Sequence, residues 1–195
     1  MTWQSITDLG DSAVTLSLAG FILAFLLADR RRADAGAWLV AVAACAAGVA
    51  FVKILFHSCA HDGWLPWLNN PSGHTAMSTL VYGGLAVLLV HGGARWRRIV
   101  LPAAAALVVG AIAISRIALH AHDRAEVMAG LVVGLAAILL FRRLRRNHAR
   151  SLSAFAMMGG ASLVVAAMWG IRWPVEPYLS GLAALIHHNV PLCGG

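Results

Sequence analysis

The densest chemistry in this sequence lies between Ser115 and Glu126, where Arg116, His120, His122, Asp123, Arg124 and Glu126 fall within twelve residues. His122 and Glu126 are four apart, which on a helix puts them on one face. A carboxylate bonded to one imidazole nitrogen fixes the tautomer and leaves the other nitrogen able to attack an electrophile. His120 has no acid four residues on, and Asp123 would point elsewhere on a helix. Arg116 is permanently charged, and its fork matches phosphate oxygens. A second segment, Pro71-Ser72-Gly73-His74, follows the turn-forming pair Asn69-Asn70. Ser72 suits a helix cap, Gly73 lets a ligand approach the backbone, and the N–H groups of a helix start bind anions. A plain capped helix start fits that spacing equally well. Lys53 adds a further cation upstream.

These residues need a scaffold, and composition names its class. Of 195 residues, 60% are hydrophobic and 12% charged, with a mean hydropathy of +0.77. Soluble domains carry about 25% charged residues, so an ordinary soluble enzyme and a disordered chain are both excluded. The expected fold is all-α, a polytopic membrane helix bundle of six transmembrane helices. The spans fall at Ser12–Ala28, Ala37–Phe56, Thr75–Val90, Ile99–Ile117, Ala125–Phe141 and Leu152–Ile171, the third and fifth drawing extra turns from their flanks. A barrel would alternate apolar and polar residues, which these runs do not. The chain reads as one membrane domain. Residues 174–195 read as a short amphipathic tail on the outer surface, and Gly130 and Gly134 as a site of close helix packing.

Charge sets the expected orientation. The net charge is +7, from 15 Lys and Arg against 8 Asp and Glu. Arg30, Arg31 and Arg32 follow the first span, so it is no cleaved signal peptide, which carries its charge before the apolar run. With Arg95, Arg97, Arg98, Arg142, Arg143, Arg145, Arg146 and Arg150 they place eleven basic residues on one side, the inner one by the positive-inside rule. Both termini then lie outside, in a bacterial inner membrane, and the charge excess reports topology rather than a nucleic-acid partner. Trp3, Trp64, Trp67, Trp169 and Trp173 fall near outer span ends and Trp38 and Trp96 near inner ones, where the membrane interface favours indole rings. Cys59 and Cys193, both outside, are candidates for a disulfide.

Lys53, Arg116 and Glu126 then share one membrane depth with His57, His61, His74, His120 and His122. Each ionisable group there costs about 2.5–3.5 kcal/mol on insertion scales, so their convergence marks a functional site. The segments resemble the signature of the type-2 phosphatidic acid phosphatase superfamily, which includes lipid phosphate phosphatases, glucose-6-phosphatase and vanadium-dependent haloperoxidases. The second motif, Pro-Ser-Gly-His, is intact at residues 71–74. The third is present as Ser115-Arg116, then His122, then Glu126 in place of Asp. The first keeps Lys53, but Ala60-His61 stands where Arg-Pro is expected. The resemblance covers roughly residues 50–140.

The resemblance implies a membrane phosphatase that needs no metal or other cofactor. It would hydrolyse a lipid phosphate or pyrophosphate at the outer face through a phosphohistidine. By that likeness His122 attacks, Glu126 orients it, and His74 protonates the leaving oxygen. Lys53, Ser72, Gly73 and Arg116 hold the phosphate, while His57, His61 or Arg124 replaces the missing arginine. The implied partners are a lipid substrate and the bilayer. Three rivals exist: a catalytically weak or inactive lipid-binding or partner-binding relative, a metal site on His57, His61, Asp62, His120 and His122, and an intramembrane serine protease using Ser72.

Overall fold

The computed structural model describes residues 2–59, 71–90, 94–146 and 152–173 and the isolated positions 175, 178 and 181, with the side chains of residues 55–59 excepted. Among these residues every regular element is helical: α1 (Trp3–Thr7), a 3₁₀ turn (Asp8–Gly10), α2 (Ser12–Ala28), α3 (Arg32–Cys59), α4 (Gly73–Val90), α5 (Arg97–Ala118), α6 (Arg124–Leu144) and α7 (Ala154–Met168). Five stretches are long and apolar enough to cross a membrane; the first runs from Trp3 through α2. The third expected span gains two residues at its start, and the fifth gains about one turn in all. The sixth, expected over Leu152–Ile171, is a shorter apolar helix of 15 residues.

The helix ends explain where the spans stop. Asp11 caps α2, its Oδ1 accepting from the Ala13 N–H at 2.9 Å. At the far end Arg30 takes a left-handed conformation (φ 59°). The Arg31 and Arg30 N–H groups donate back to the Leu26 and Leu27 carbonyls at 2.8 and 3.0 Å. That is a Schellman stop made without glycine. His120 (φ 52°) ends α5 in the same way, with Ala121 and His120 donating to Arg116 and Ile117.

α4 is the centre of the bundle. It packs along both α5 and α6, while α5 and α6 meet each other only sparingly. The α4–α6 seam uses glycine. A Cβ on Gly134 would sit 2.6 Å from the Ala76 carbonyl oxygen, and one on Gly130 would overlap the Ser72 carbonyl. Trp38 departs from its expected place at the interface. It is buried at 1% exposure, packs edge-on against Phe141 at 5.2 Å and presses on Gly84. Its indole N–H donates to the Ala19 carbonyl at 2.9 Å, so the ring's one polar group is satisfied inside the core and no interface is needed.

The outer tryptophans Trp64 and Trp67, Cys193 and the expected tail 174–195 except positions 175, 178 and 181 lie outside the described residues, as does the side chain of Cys59.

The seam sets a test. Gly134→Val should lower stability by about 1–3 kcal/mol through overpacking, read as a lower unfolding temperature in detergent. Gly20→Ala, with nothing within 4 Å of the new methyl, should hold or raise it. Equal behaviour of the two would contradict the close α4–α6 contact.

Candidate functional site

At the end of the bundle away from the arginine clusters, a cavity of about 430 Å³ opens between α2, α3, α4 and the end of α5. Lys53, Gly73, His74 and Arg116 line it, one cation or helix start from each of α3, α4 and α5. Lys53 is 5% exposed. A lysine so deep in an apolar bundle requires polar company, and this cavity gathers it. Arg116 also reaches the N-terminal segment, donating from Nη1 to Thr7 Oγ1 at 3.4 Å.

His122 does not itself line the cavity, but its backbone is bonded to Arg116, which does. Its ring is buried, with Nδ1 2.9 Å from Glu126 Oε2. The expected contact is present, but by another geometry. His122 precedes α6 instead of lying on it, because Asp123 is the N-cap and α6 begins at Arg124. A capping box makes the approach: the Glu126 N–H donates to Asp123 Oδ1 at 2.8 Å, and the Asp123 N–H donates to Glu126 Oε2 at 3.1 Å. Glu126 Oε2 thus fixes the helix start and the imidazole together. The His122 N–H donates to the Arg116 carbonyl at 3.3 Å, so the residue whose side chain lines the cavity also anchors His122.

Ser72 is fully buried and serves the start of α4. Its Oγ accepts from Thr75 Oγ1 at 3.0 Å and from the Thr75 N–H at 3.4 Å. Its own N–H donates to the Glu126 carbonyl at 3.1 Å, which ties the Pro-Ser-Gly-His turn to α6. Ser72 and Glu126 do not line the cavity. Arg124 is exposed and does not line it either. His61 and Asp62 lie outside the described residues, as does the side chain of His57.

Sequence reasoning missed the N-terminal segment and the chain after α7. Asp8 and Asp11 are both buried and line the cavity. Asp11 Oδ2 lies 3.7 Å from His74 Nε2, and its Oδ1 also accepts from the Trp173 N–H at 3.2 Å. Arg172, likewise lining the cavity, donates from Nε to Asp8 Oδ1 at 3.0 Å. Gly170, at φ 82°, lets the chain turn back after α7 to make these contacts. Asp11-Ser12 ahead of an apolar run was a readable cap signal; no local pattern announced Arg172.

The arrangement suits an anion with several oxygens: three cationic side chains, a histidine and a helix start face one volume, beside a carboxylate-oriented imidazole. Leu16, Ala46, Val49 and Met77 give the same cavity an apolar wall.

The PAP2 superfamily model matches residues 56–150. A Klebsiella pneumoniae protein described as an uncharacterized 22.5 kDa protein in cps region is 30% identical over 174 residues, 85% of this chain and 79% of that relative. No solved structure matches.

The double duty of Asp11 is testable. Asp11→Ala should cost about 1–2 kcal/mol for the lost cap, measured by unfolding in detergent. Asp11→Asn, which caps comparably, should stay within about 0.5 kcal/mol of the parent. A stable Asp11→Ala variant would remove the cap from the account.

Proposed function

The chain belongs to the PAP2 superfamily, which supports a phosphatase-type function in general, and from that membership we propose a membrane phosphatase acting on a lipid phosphate or pyrophosphate through a phosphohistidine. The observation that carries this reading is the convergence of Lys53, His74 and Arg116 on one cavity, beside a His122 ring held by Glu126. By charge placement the cavity faces outside, in a bacterial inner membrane.

In this reading the His122 Nδ1–H donates to Glu126, which leaves the lone pair on Nε2. Nε2 attacks phosphorus in line and forms a P–N bond, while the bond from phosphorus to the leaving oxygen breaks. His74, on the cavity wall, gives that oxygen a proton. Water then attacks phosphorus, passes a proton to His74 and breaks the P–N bond, which restores both histidines. Lys53, Arg116 and the Gly73 N–H carry the charge of the phosphoryl oxygens, the dominant need in such transfers. Ser72 acts behind them by fixing the start of α4.

Arg172 takes the place of the arginine that Ala60 lacks. It comes from beyond α7, yet it lines the same cavity, and Asp8 fixes its direction. The apolar wall favours phosphate carried on hydrocarbon. Ala46 lies seven residues from Lys53 along α3, about 10 Å at 1.5 Å per residue, so a chain attached to the phosphate runs into the bilayer beside α2 and α3.

Phosphate release from phosphatidic acid, phosphatidylglycerol phosphate, a lipid A phosphate and an isoprenyl pyrophosphate, in detergent with chelator present, tests the reading. His122→Ala should abolish turnover, and His74→Ala should lower it about 10²–10⁴-fold. Glu126→Asp should lose up to about 10²-fold, because the shorter arm misplaces the ring. Arg172→Gln should lower kcat/KM about tenfold, the low end for a charged hydrogen bond. Full activity in His122→Ala, or no hydrolysis of any of these lipids, sinks the proposal.

A further inference from the structure

A second and larger hollow lies at the opposite end of the bundle. It measures about 760 Å³ and runs over α4 between α5 and α6, where those two helices barely meet. Its floor is made of small residues, Gly83 and Ala86 on α4 and Ala106 and Gly110 on α5. Its mouth carries Arg98, Arg142 and Arg145. From Arg98 to Ala113, both lining it, α5 rises about 22 Å at 1.5 Å per residue. One leaflet's share of the hydrocarbon is about 15 Å, so the groove is long enough for a single lipid chain.

Counter-charge at the mouth is sparse. The sequence contains no Asp or Glu between residues 63 and 122, and none between 127 and 175. The carboxylates at this end are Asp29 and Asp34. Asp29 pairs with Arg31 at 2.7 Å, and Asp34 accepts from the Arg146 N–H at 2.9 Å. Arg145 spends Nη1 on the Val87 carbonyl at 3.0 Å, and its buried Nε has no hydrogen-bond partner among the described residues. Burial lowers the Arg145 pKa; Asp34 opposes that, and Arg31 and Arg142 add to it. Three guanidinium groups at a membrane boundary, above an apolar slot, complement a phosphate head group on a hydrocarbon tail.

We propose that this groove is a binding site for an anionic glycerophospholipid of the bilayer, its phosphate on Arg98, Arg142 and Arg145 and one chain along α5 past Gly110. The site is separate from the Lys53 cavity and does not depend on what that cavity hydrolyses. The groove selects by charge at its mouth and by width along its floor.

Native mass spectrometry of the full chain in non-ionic detergent tests it, with dioleoyl phosphatidylglycerol and dioleoyl phosphatidylcholine as probes. One phosphatidylglycerol per chain should be retained at least tenfold more tightly than phosphatidylcholine. Arg98→Gln and Arg142→Gln should each weaken it about fivefold. Both side chains are exposed, so both variants should fold, as circular dichroism would verify. Gly110→Leu, with nothing within 4 Å of an added Cβ, should fill the groove and remove the adduct. Equal retention of the two lipids overturns the proposal, as does phosphatidylglycerol binding unchanged in the arginine variants and in Gly110→Leu. A dimer broken by Gly110→Leu, with no lipid preference, would assign the groove to a second copy and also overturn it.

Discussion

Charged groups in an apolar bundle cannot be scattered, because each one at membrane depth costs about 2.5–3.5 kcal/mol unless it is solvated or paired. Lys53, Arg116, His74 and His122 are carried on separate stretches of chain, yet they collect at one end of the bundle. The segment from Trp3 to Asp11 exists structurally to meet that constraint. It folds across the end, brings the buried Asp8 and Asp11 to the cavity and closes on α4 and α5, where a Cβ on Gly10 would sit 2.7 Å from Ile112. Tyr82 holds it from below by donating to the Leu9 carbonyl at 2.8 Å. The carboxylates offset the cations without filling the cavity, so the polar end is stable and still open.

Within that frame, precision comes from atoms with two tasks. Glu126 Oε2 accepts from the Asp123 N–H and holds the His122 ring. The Arg116 carbonyl accepts from both Ala121 and His122 at the end of α5. Ser72 caps α4 with its side chain and joins α6 with its N–H. Moving any one of these shifts a helix start and a functional side chain together. This is a physical reason for the longer Glu126 to suit a position where the motif it resembles has Asp. The carboxylate must reach back both to the N-cap N–H, as N3 of a capping box does, and to a ring that lies before the helix.

The helices were legible because long apolar runs in lipid have few alternatives. The turns between them were less so. Arg30 and His120 adopt left-handed conformations usually left to glycine, and nothing in the residue type announces it. Trp38 looked like an interface anchor by position, but the space at Gly84 and a second bond to the Ala19 carbonyl hold it inside. For the site, residues within one motif were readable by spacing. The partners that come from far away in sequence, Asp8, Asp11 and Arg172, were not. Asp8 and Arg172 are 164 residues apart, and only the folded bundle makes them neighbours.

The two ends of the bundle use arginine differently, and the difference follows from where the carboxylates are. At the Lys53 end, Asp8 steers Arg172 and Asp11 stands beside His74, so the cations there are pre-positioned and their field is partly offset. That suits a site that must release its anion after each turnover. At the other end the arginines greatly outnumber Asp29 and Asp34, and Asp29 is already paired with Arg31. An excess of this kind exceeds what the carboxylates at that end can neutralise. It is stable where anionic head groups supply the counter-charge, with each basic residue near such a surface worth about 1 kcal/mol. On the proposed readings, arginine serves turnover at one end and the binding of an anionic lipid at the other.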